Sequence, residues 1–146
     1  MNKRSLKSYM NNRTNPKKEL KVNCFKSDDK YIISDSYSII LLNNNYDLEV
    51  NQDKYGLNTI RDRFENGFEV DYTFMTPLED NDEMYEPITD KYGINIKLFK
   101  RINNVIKGNS FAILKSLKSD DYTPFIIRLE NTKTKEIGYM LPMRKF

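Results

Sequence analysis

The chain has 146 residues, of which 38% are hydrophobic and 31% charged, and its formal net charge is +3. This length suits one domain, which we expect to span residues 1–146, and the 12% aromatic content argues against wholesale disorder. Because the chain has no histidine and a single cysteine, Cys24, the sequence excludes a Ser-His-Asp triad, a Cys-His pair, a histidine-ligated metal and an internal disulfide.

Other classes of protein are also disfavoured. The sequence has no glycine-rich phosphate-binding motif, and apolar runs such as Ile39–Leu42 are too short to span a membrane. The basic N-terminus is not followed by the apolar stretch of a signal peptide, and a lone cysteine fits a reducing compartment. We therefore expect a cytoplasmic protein that is not an enzyme and that uses no cofactor, no metal and no membrane.

Charge is unevenly distributed along the chain. Residues 1–30 carry a net charge of +6, residues 31–95 carry −10 and residues 96–146 carry +7. Two basic ends around an acidic middle are typical of a molecule with two electrostatic faces, one of which can meet a polyanion. The alternative is that the charges serve ordinary solubility.

Hydrophobic periodicity predicts a helix and three strands in the first part of the chain. Leu6 and Met10 lie one helical turn apart, and Asn15-Pro16 then interrupts the chain because proline disfavours helix in the preceding residue. Alternating and β-branched segments follow, separated by turns rich in serine, asparagine and aspartate. The predicted elements are a helix over residues 3–12 and strands over residues 19–26, 30–35 and 37–42.

The middle of the chain is less regular. A helix is predicted over residues 57–64, closed by Asn66-Gly67, and a strand over residues 68–75 whose alternate apolar side chains point inward. Residues 77–90 are acidic, contain two prolines and are predicted to form a loop. The Asp80-Asn81-Asp82 run in this loop is similar to part of a calcium loop, but it lacks the required glycine and glutamate, so no calcium site is expected.

The last third of the chain has the clearest pattern. Asn95 is the expected N-cap of a helix in which apolar residues recur at helical spacing until Gly108 ends it, and the other face carries no acid. Three strands are predicted to follow, over residues 111–118, 123–130 and 136–142. This order of elements predicts an α+β fold with antiparallel sheets and two helices on one face.

Motifs in both halves of the chain resemble one protein family. The helix, the segment Thr-Pro-Phe-Ile-Ile-Arg-Leu and the terminal Tyr-Met-Leu-Pro-Met-Arg follow the order of the last domain of the bacterial DNA sliding clamp, the β subunit of the replicative DNA polymerase. The corresponding segments here are Asn95–Ile106, Pro124–Leu129 and Tyr139–Arg144. Ser34–Ile39 resembles a second clamp segment, whereas residues 45–90 have no convincing match. The resemblance implies a single DNA-clamp-like module.

The resemblance also implies DNA binding. Clamp modules form a closed ring in which helices line the hole and contact phosphates without reading the sequence. An acid-free helix face suits this task because neutralisation of phosphates is independent of base sequence, whereas the alternative is a solvated lysine face on an ordinary amphipathic helix. The residues expected to contact duplex DNA are Lys3, Arg4, Lys7, Lys97, Lys100, Arg101 and Lys107.

Partner binding is the second implied activity. In the family, DNA polymerases and other proteins with a clamp-binding motif insert a short peptide into an apolar pocket, and methionine suits such an adaptable surface. The alternative is that Leu141 and Met143 are core residues of a last strand. The implied pocket residues are Asp35, Tyr37, Ile39, Met140, Leu141, Pro142, Met143 and Arg144.

The chain also departs from the family pattern. Family clamps carry three modules per chain, so a ring of this chain needs several copies joined head to tail. No strand precedes the first predicted helix, Ser38 stands where the family has arginine, and Lys145-Phe146 extends the terminus. In family clamps the two pocket segments belong to adjacent domains, which implies a pocket between subunits here.

These observations predict a clamp-like DNA replication accessory protein, a processivity factor that binds duplex DNA without sequence specificity as a homo-oligomer and tethers a polymerase. The alternative is a monomeric module that captures or inhibits replication partners without binding DNA. A third interpretation is a small α+β domain of unrelated function.

Overall fold

A computed structural model describes residues 2–10, 23–27, 29–50, 52, 56–78 and 85–144. Its helices are α1 (Lys3–Met10), α2 (Leu57–Asn66) and α3 (Ile96–Ile106). Its strands are β1 (Asn23–Lys26), β2 (Lys30–Ser34), β3 (Ser38–Asn43), β4 (Phe68–Phe74), β5 (Tyr85–Pro87), β6 (Tyr92–Asn95), β7 (Ser110–Ser116), β8 (Phe125–Glu130), β9 (Ile137–Met140) and β10 (Met143–Arg144). None of the three described helices is long and apolar enough to cross a membrane.

One large antiparallel sheet organises the fold. Its strand order is β1-β2-β3-β9-β8-β7-β4, and a second, three-stranded sheet has the order β10-β6-β5. A helix followed by a three-stranded meander occurs twice, as α1-β1-β2-β3 and as α3-β7-β8-β9. The two meanders join between β3 and β9, where Ile39 lies opposite Tyr139. The predicted α+β class with antiparallel sheets is confirmed.

The large sheet is covered by helices on both faces. In β3, Ile40 and Leu42 pack in the same core as α1 and α3, whereas Ile39 and Leu41 pack with α2 on the opposite face. The prediction of two helices on one face is therefore confirmed by α1 and α3, and α2 covers the other face. The physical reason is that the apolar run of β3 is continuous rather than alternating, so both of its faces must be buried.

The structure corrects the sequence predictions in the middle of the chain. Val70 and Tyr72 do not point inward: β4 is an edge strand with a register shift between them, and both side chains are exposed. The bulge places Val70 opposite Leu114 and Tyr72 opposite Ile113, so the two side chains fall on different faces of the sheet, and it also blunts an unpaired edge. The predicted loop over residues 77–90 contains β5, and β6 and β10 were not predicted. The predicted features at residues 11–22 and 80–82 lie outside the described residues.

Contact between α3 and β9 requires a glycine in the strand. A Cβ atom at Gly138 would overlap Cγ2 of Ile102, a fully buried residue of α3. Gly138→Ala is therefore expected to lower the free energy of unfolding by about 1–3 kcal/mol, measured by urea denaturation. Because leucine has no Cγ2 methyl at that place, the same change in an Ile102→Leu background should cost less. Equal costs in the two backgrounds would show that this contact is not the cause.

Candidate nucleic-acid interface

Helices α1 and α3 begin in the same way. The side-chain oxygen of Asn2 accepts a hydrogen bond from the Ser5 N–H at 3.0 Å, and that of Asn95 accepts one from the Leu98 N–H at 3.1 Å. The predicted N-cap at Asn95 is confirmed, and Asn2 is a second cap. Neither helix has an acid in its first turn, where Lys3 and Lys97 lie instead. Cations at a helix N-terminus oppose the helix dipole, and a local violation of this kind is typical of a functional surface.

The two helices pack side by side and antiparallel. The Asn2 N–H donates to the Val105 carbonyl near the end of α3, at 3.1 Å. Further along, the Arg101 guanidinium lies over the ring of Tyr9 at 5.5 Å and donates to the Tyr9 carbonyl at 3.3 Å. Because that carbonyl belongs to the last turn of α1, Arg101 satisfies a helix-end acceptor as well as joining the helices. Arg101 therefore holds α1 and α3 together and also contributes a positive charge to this helical layer.

All seven cations predicted to contact DNA lie on this helical layer or at its ends. Neither α1 nor α3 contains an acidic residue, and Lys107 is the left-handed residue that ends α3. Lys100 and Arg101 are half-buried, while the other five are exposed. We call this set the basic face; its members are Lys3, Arg4, Lys7, Lys97, Lys100, Arg101 and Lys107.

The opposite side of the sheet has a different electrostatic character. In α2, Arg61 pairs with Asp29 at 2.8 Å and with Glu65 at 2.9 Å, and Arg63 pairs with Asp121 at 2.5 Å. Hydrogen bonds from Arg61 hold the pKa of Asp29 well below its usual range. The arginines of α2 are thus neutralised within the protein, and the side of the sheet that favours a polyanion is the basic face.

The two segments of the predicted partner pocket meet within a single chain. The Leu141 N–H donates to the Tyr37 carbonyl at 2.9 Å, and Ser38 lies opposite Met140 across β3 and β9. Asp35 is buried, and its carboxylate accepts hydrogen bonds from the Tyr37 N–H at 2.8 Å and the Ser38 hydroxyl at 2.9 Å. Asp35 therefore shapes the turn before β3, and no second subunit is needed to bring the segments together.

The predicted pocket residues divide into a surface group and a core group. Ile39 and Met140 are buried in the two cores, so they support the surface from beneath. The side chain of Tyr37 is 56% exposed and that of Met143 is 38% exposed, and Met143 lies in β10 beside Gly93. Leu141 and Pro142 are half-buried and Arg144 is exposed. We call this group the Tyr37 surface; its members are Tyr37, Leu141, Pro142, Met143 and Arg144.

Sequence reasoning missed the residue that links the two surfaces. Tyr9 is buried under Arg101, and its hydroxyl is 2.7 Å from the Ser38 hydroxyl, which in turn donates to Asp35. Burial, and then the charge of Asp35, raises the pKa of Tyr9 well above its ordinary range. Nothing in the sequence connects positions 9 and 38, because the contact depends on how α1 crosses the sheet.

Buried tyrosines make stability sensitive to alkaline pH. Burial raises the pKa of Tyr139 to about 12, whereas an unfolded tyrosine ionises near 10. The stabilisation from keeping Tyr139 neutral is present below pH 10 and is lost as the pH rises from about 10 towards 12. Tyr139→Phe should reduce this loss by about 1–3 kcal/mol, measured by urea denaturation across that range. Tyr122→Phe, at a side chain that is 98% exposed, should leave the loss unchanged; equal behaviour of the two variants would contradict the assignment.

Comparisons with known proteins do not assign the chain to a family. No protein-family model matches the chain, and neither does any curated protein or solved structure. The resemblance to sliding clamps accordingly stays a prediction based on the residues quoted above.

Proposed function

We propose that this chain is a clamp-like DNA replication accessory protein that binds duplex DNA through the basic face without reading its sequence. The observation that carries the proposal is the side-by-side packing of α1 and α3, two acid-free helices that occupy equivalent positions in two helix-and-meander units. Neutralisation of phosphates by lysine and arginine supplies most of the affinity of non-specific DNA binding.

The geometry of the helix pair favours sequence-independent contact. Two packed helices have axes about 8–10 Å apart, and each helix with its side chains is about 10 Å wide. A layer of roughly 20 Å is too broad for the major groove, which is about 12 Å wide, so it meets the phosphates on the rims rather than the base edges. Lysine suits such contacts because it acts as a point charge without a demand for one bonding geometry.

Tethering of a DNA polymerase, or of another protein with a clamp-binding motif, is assigned to the Tyr37 surface. Tyr37 and Met143 provide an aromatic ring and a flexible thioether on adjacent segments, which is the chemistry that accommodates varied apolar peptides. The basic face and this surface are linked by the hydrogen bond between Tyr9 in α1 and Ser38 in β3.

Encirclement of DNA requires a homo-oligomer. A single chain of 17.4 kDa supplies one pair of basic helices, so a ring needs several copies related by rotation. Light scattering behind a sizing column should therefore give a mass of at least two whole monomer masses. A monomer at every concentration would contradict a ring and leave a module that cradles the duplex from one side.

Duplex DNA binding is tested by titration at several salt concentrations. If each of the seven cations neutralises one phosphate, the logarithm of the association constant should fall with the logarithm of salt concentration at a slope of up to about −6. Duplexes of unrelated sequence should give the same affinity within about threefold. An affinity that does not change between low and moderate salt would contradict the proposal.

A second candidate function is a monomeric module that captures or inhibits replication partners without binding DNA. The observation that favours it is that both segments of the Tyr37 surface are assembled within one chain. Under this alternative, peptides with a clamp-binding motif should bind the monomer. Tyr37→Ala should weaken peptide binding about tenfold, and the exposed control Tyr122→Ala should leave peptide binding unchanged. Peptide binding combined with no measurable DNA binding would favour this function over the first.

A further inference from the structure

An apolar groove lies between α1 and the segment that follows β3. Its volume is about 590 Å³, which is in the range of sites that accept a small molecule or an anchor of a peptide. Leu6 and Met10 line it from the helix, and Tyr46 and Leu48 line it from the other wall. Lys3 and Lys7 stand one helical turn apart on the helix side, and Asp47 stands on the opposite side.

Hydrogen bonds hold the second wall in place. The hydroxyl of Tyr31, a buried residue of β2, donates to the Tyr46 carbonyl at 2.5 Å and accepts from the Leu48 N–H at 3.3 Å. The Tyr46 hydroxyl reaches Glu136, a buried residue beside β9, at 3.5 Å. The groove is therefore formed before any ligand enters, which reduces the entropy lost on binding.

We propose that this groove binds an acidic, amphipathic segment of a partner protein. The two lysines on one side match carboxylates of the segment, and the apolar floor accepts an aliphatic or aromatic side chain, for which Met10 supplies an adaptable contact. Asp47 disfavours a continuous polyanion in the groove, whereas a peptide can present an acid to the lysine side and a backbone N–H or a cation to Asp47.

The groove shares Lys3 and Lys7 with the basic face. The acidic segment and DNA therefore compete for the same two cations. This competition rests on the proposed DNA binding, whereas binding of the segment in the groove does not depend on it. Binding of the segment is expected to lower the affinity for DNA. Binding of DNA is expected to lower the affinity for the segment by the same factor, because coupling between two ligands is reciprocal. The groove thereby gives a partner a means to release the protein from DNA.

The groove is tested by selecting random linear peptides from a display library against the full chain. Enriched peptides should combine acidic residues with large apolar ones and should shift the amide NMR signals of Leu6, Met10 and Leu48. Failure to enrich any peptide, or enrichment of peptides whose signals map elsewhere, would overturn the proposal.

Three variants separate groove binding from DNA binding. Lys7→Glu should weaken binding of the selected peptide about tenfold and should also weaken DNA binding, since it reverses a charge that both ligands use. Met10→Ser should weaken peptide binding about tenfold and leave DNA binding unchanged. Lys97→Gln should weaken DNA binding and leave peptide binding unchanged. A peptide that binds all three variants like the wild type would overturn the groove. Peptide binding without any DNA binding would preserve the groove and remove the proposed function.

Discussion

Reversal of three lysines of the basic face, Lys3, Lys7 and Lys97, to glutamate is expected to abolish DNA binding at physiological salt and to leave the fold intact. All three side chains are exposed, so the core is not altered. Each phosphate contact contributes about 0.9 logarithmic units of affinity for every tenfold reduction of salt below 1 M. The loss of three contacts at 0.1 M salt therefore corresponds to about a 500-fold weaker association, to which repulsion by the new carboxylates adds.

The matched control reverses three exposed lysines in turns outside the two helices, Lys91, Lys118 and Lys133. Both triple variants change the net charge from +3 by the same amount, so a general effect of charge on DNA binding would weaken both equally. We expect fluorescence anisotropy with a labelled duplex to show the large loss only for the variant of the basic face. Equal losses would mean that DNA meets the whole molecule rather than α1 and α3.

Replacement of Phe99 by alanine is expected to remove a large share of the stability of the fold. Phe99 is fully buried in α3, and its ring centroid lies 5.2 Å from that of Phe111 in β7 and 6.3 Å from that of Phe74 in β4. Truncation of a buried phenylalanine costs about 3–5 kcal/mol, and domains of this size are stable by only about 5–15 kcal/mol. Urea denaturation followed by circular dichroism should show a midpoint far below that of the wild type.

The control for this loss is Tyr122→Ala, since Tyr122 is also aromatic but is 98% exposed. Its free energy of unfolding should stay within about 0.5 kcal/mol of the wild-type value. A Phe99→Ala variant that loses less than about 1 kcal/mol would show that α3 is not packed against the sheet as described.

Sequence pattern was sufficient where the hydrophobic pattern of an element matches the burial of its faces. The apolar stripe and Asn95 predicted α3 because one of its faces is buried and the other meets solvent. The strands of both meanders were predicted from β-branched and aromatic runs bounded by turn residues, with ends that differ by at most two residues in the described part. The pattern failed at β4, where the residues read as inward-facing lie on an edge strand whose register shifts between Val70 and Tyr72.

The residues of the candidate site were predicted from their types, but the contacts among them were not predicted. The acid-free composition of α1 and α3 was visible in the sequence, but their antiparallel packing was not, because it depends on two meanders joining at β3 and β9. For the same reason the interhelical role of Arg101 and the Tyr9–Ser38 hydrogen bond had no sequence signal. One wall of the groove, with Tyr46 and Leu48, lies in the segment that has no convincing match to the clamp family, so the resemblance carried no prediction for it.

Contact between DNA phosphates and the helices α1 and α3 is tested by the salt dependence of DNA binding for two single variants. Lys97→Gln removes an exposed cation from the first turn of α3, and Lys118→Gln removes one from the turn after β7. If Lys97 neutralises one phosphate, the slope of log affinity against log salt should become less steep by about 0.9 for Lys97→Gln and should not change for Lys118→Gln. Identical slopes for Lys97→Gln and the wild type would show that α3 does not contact phosphates through its first turn.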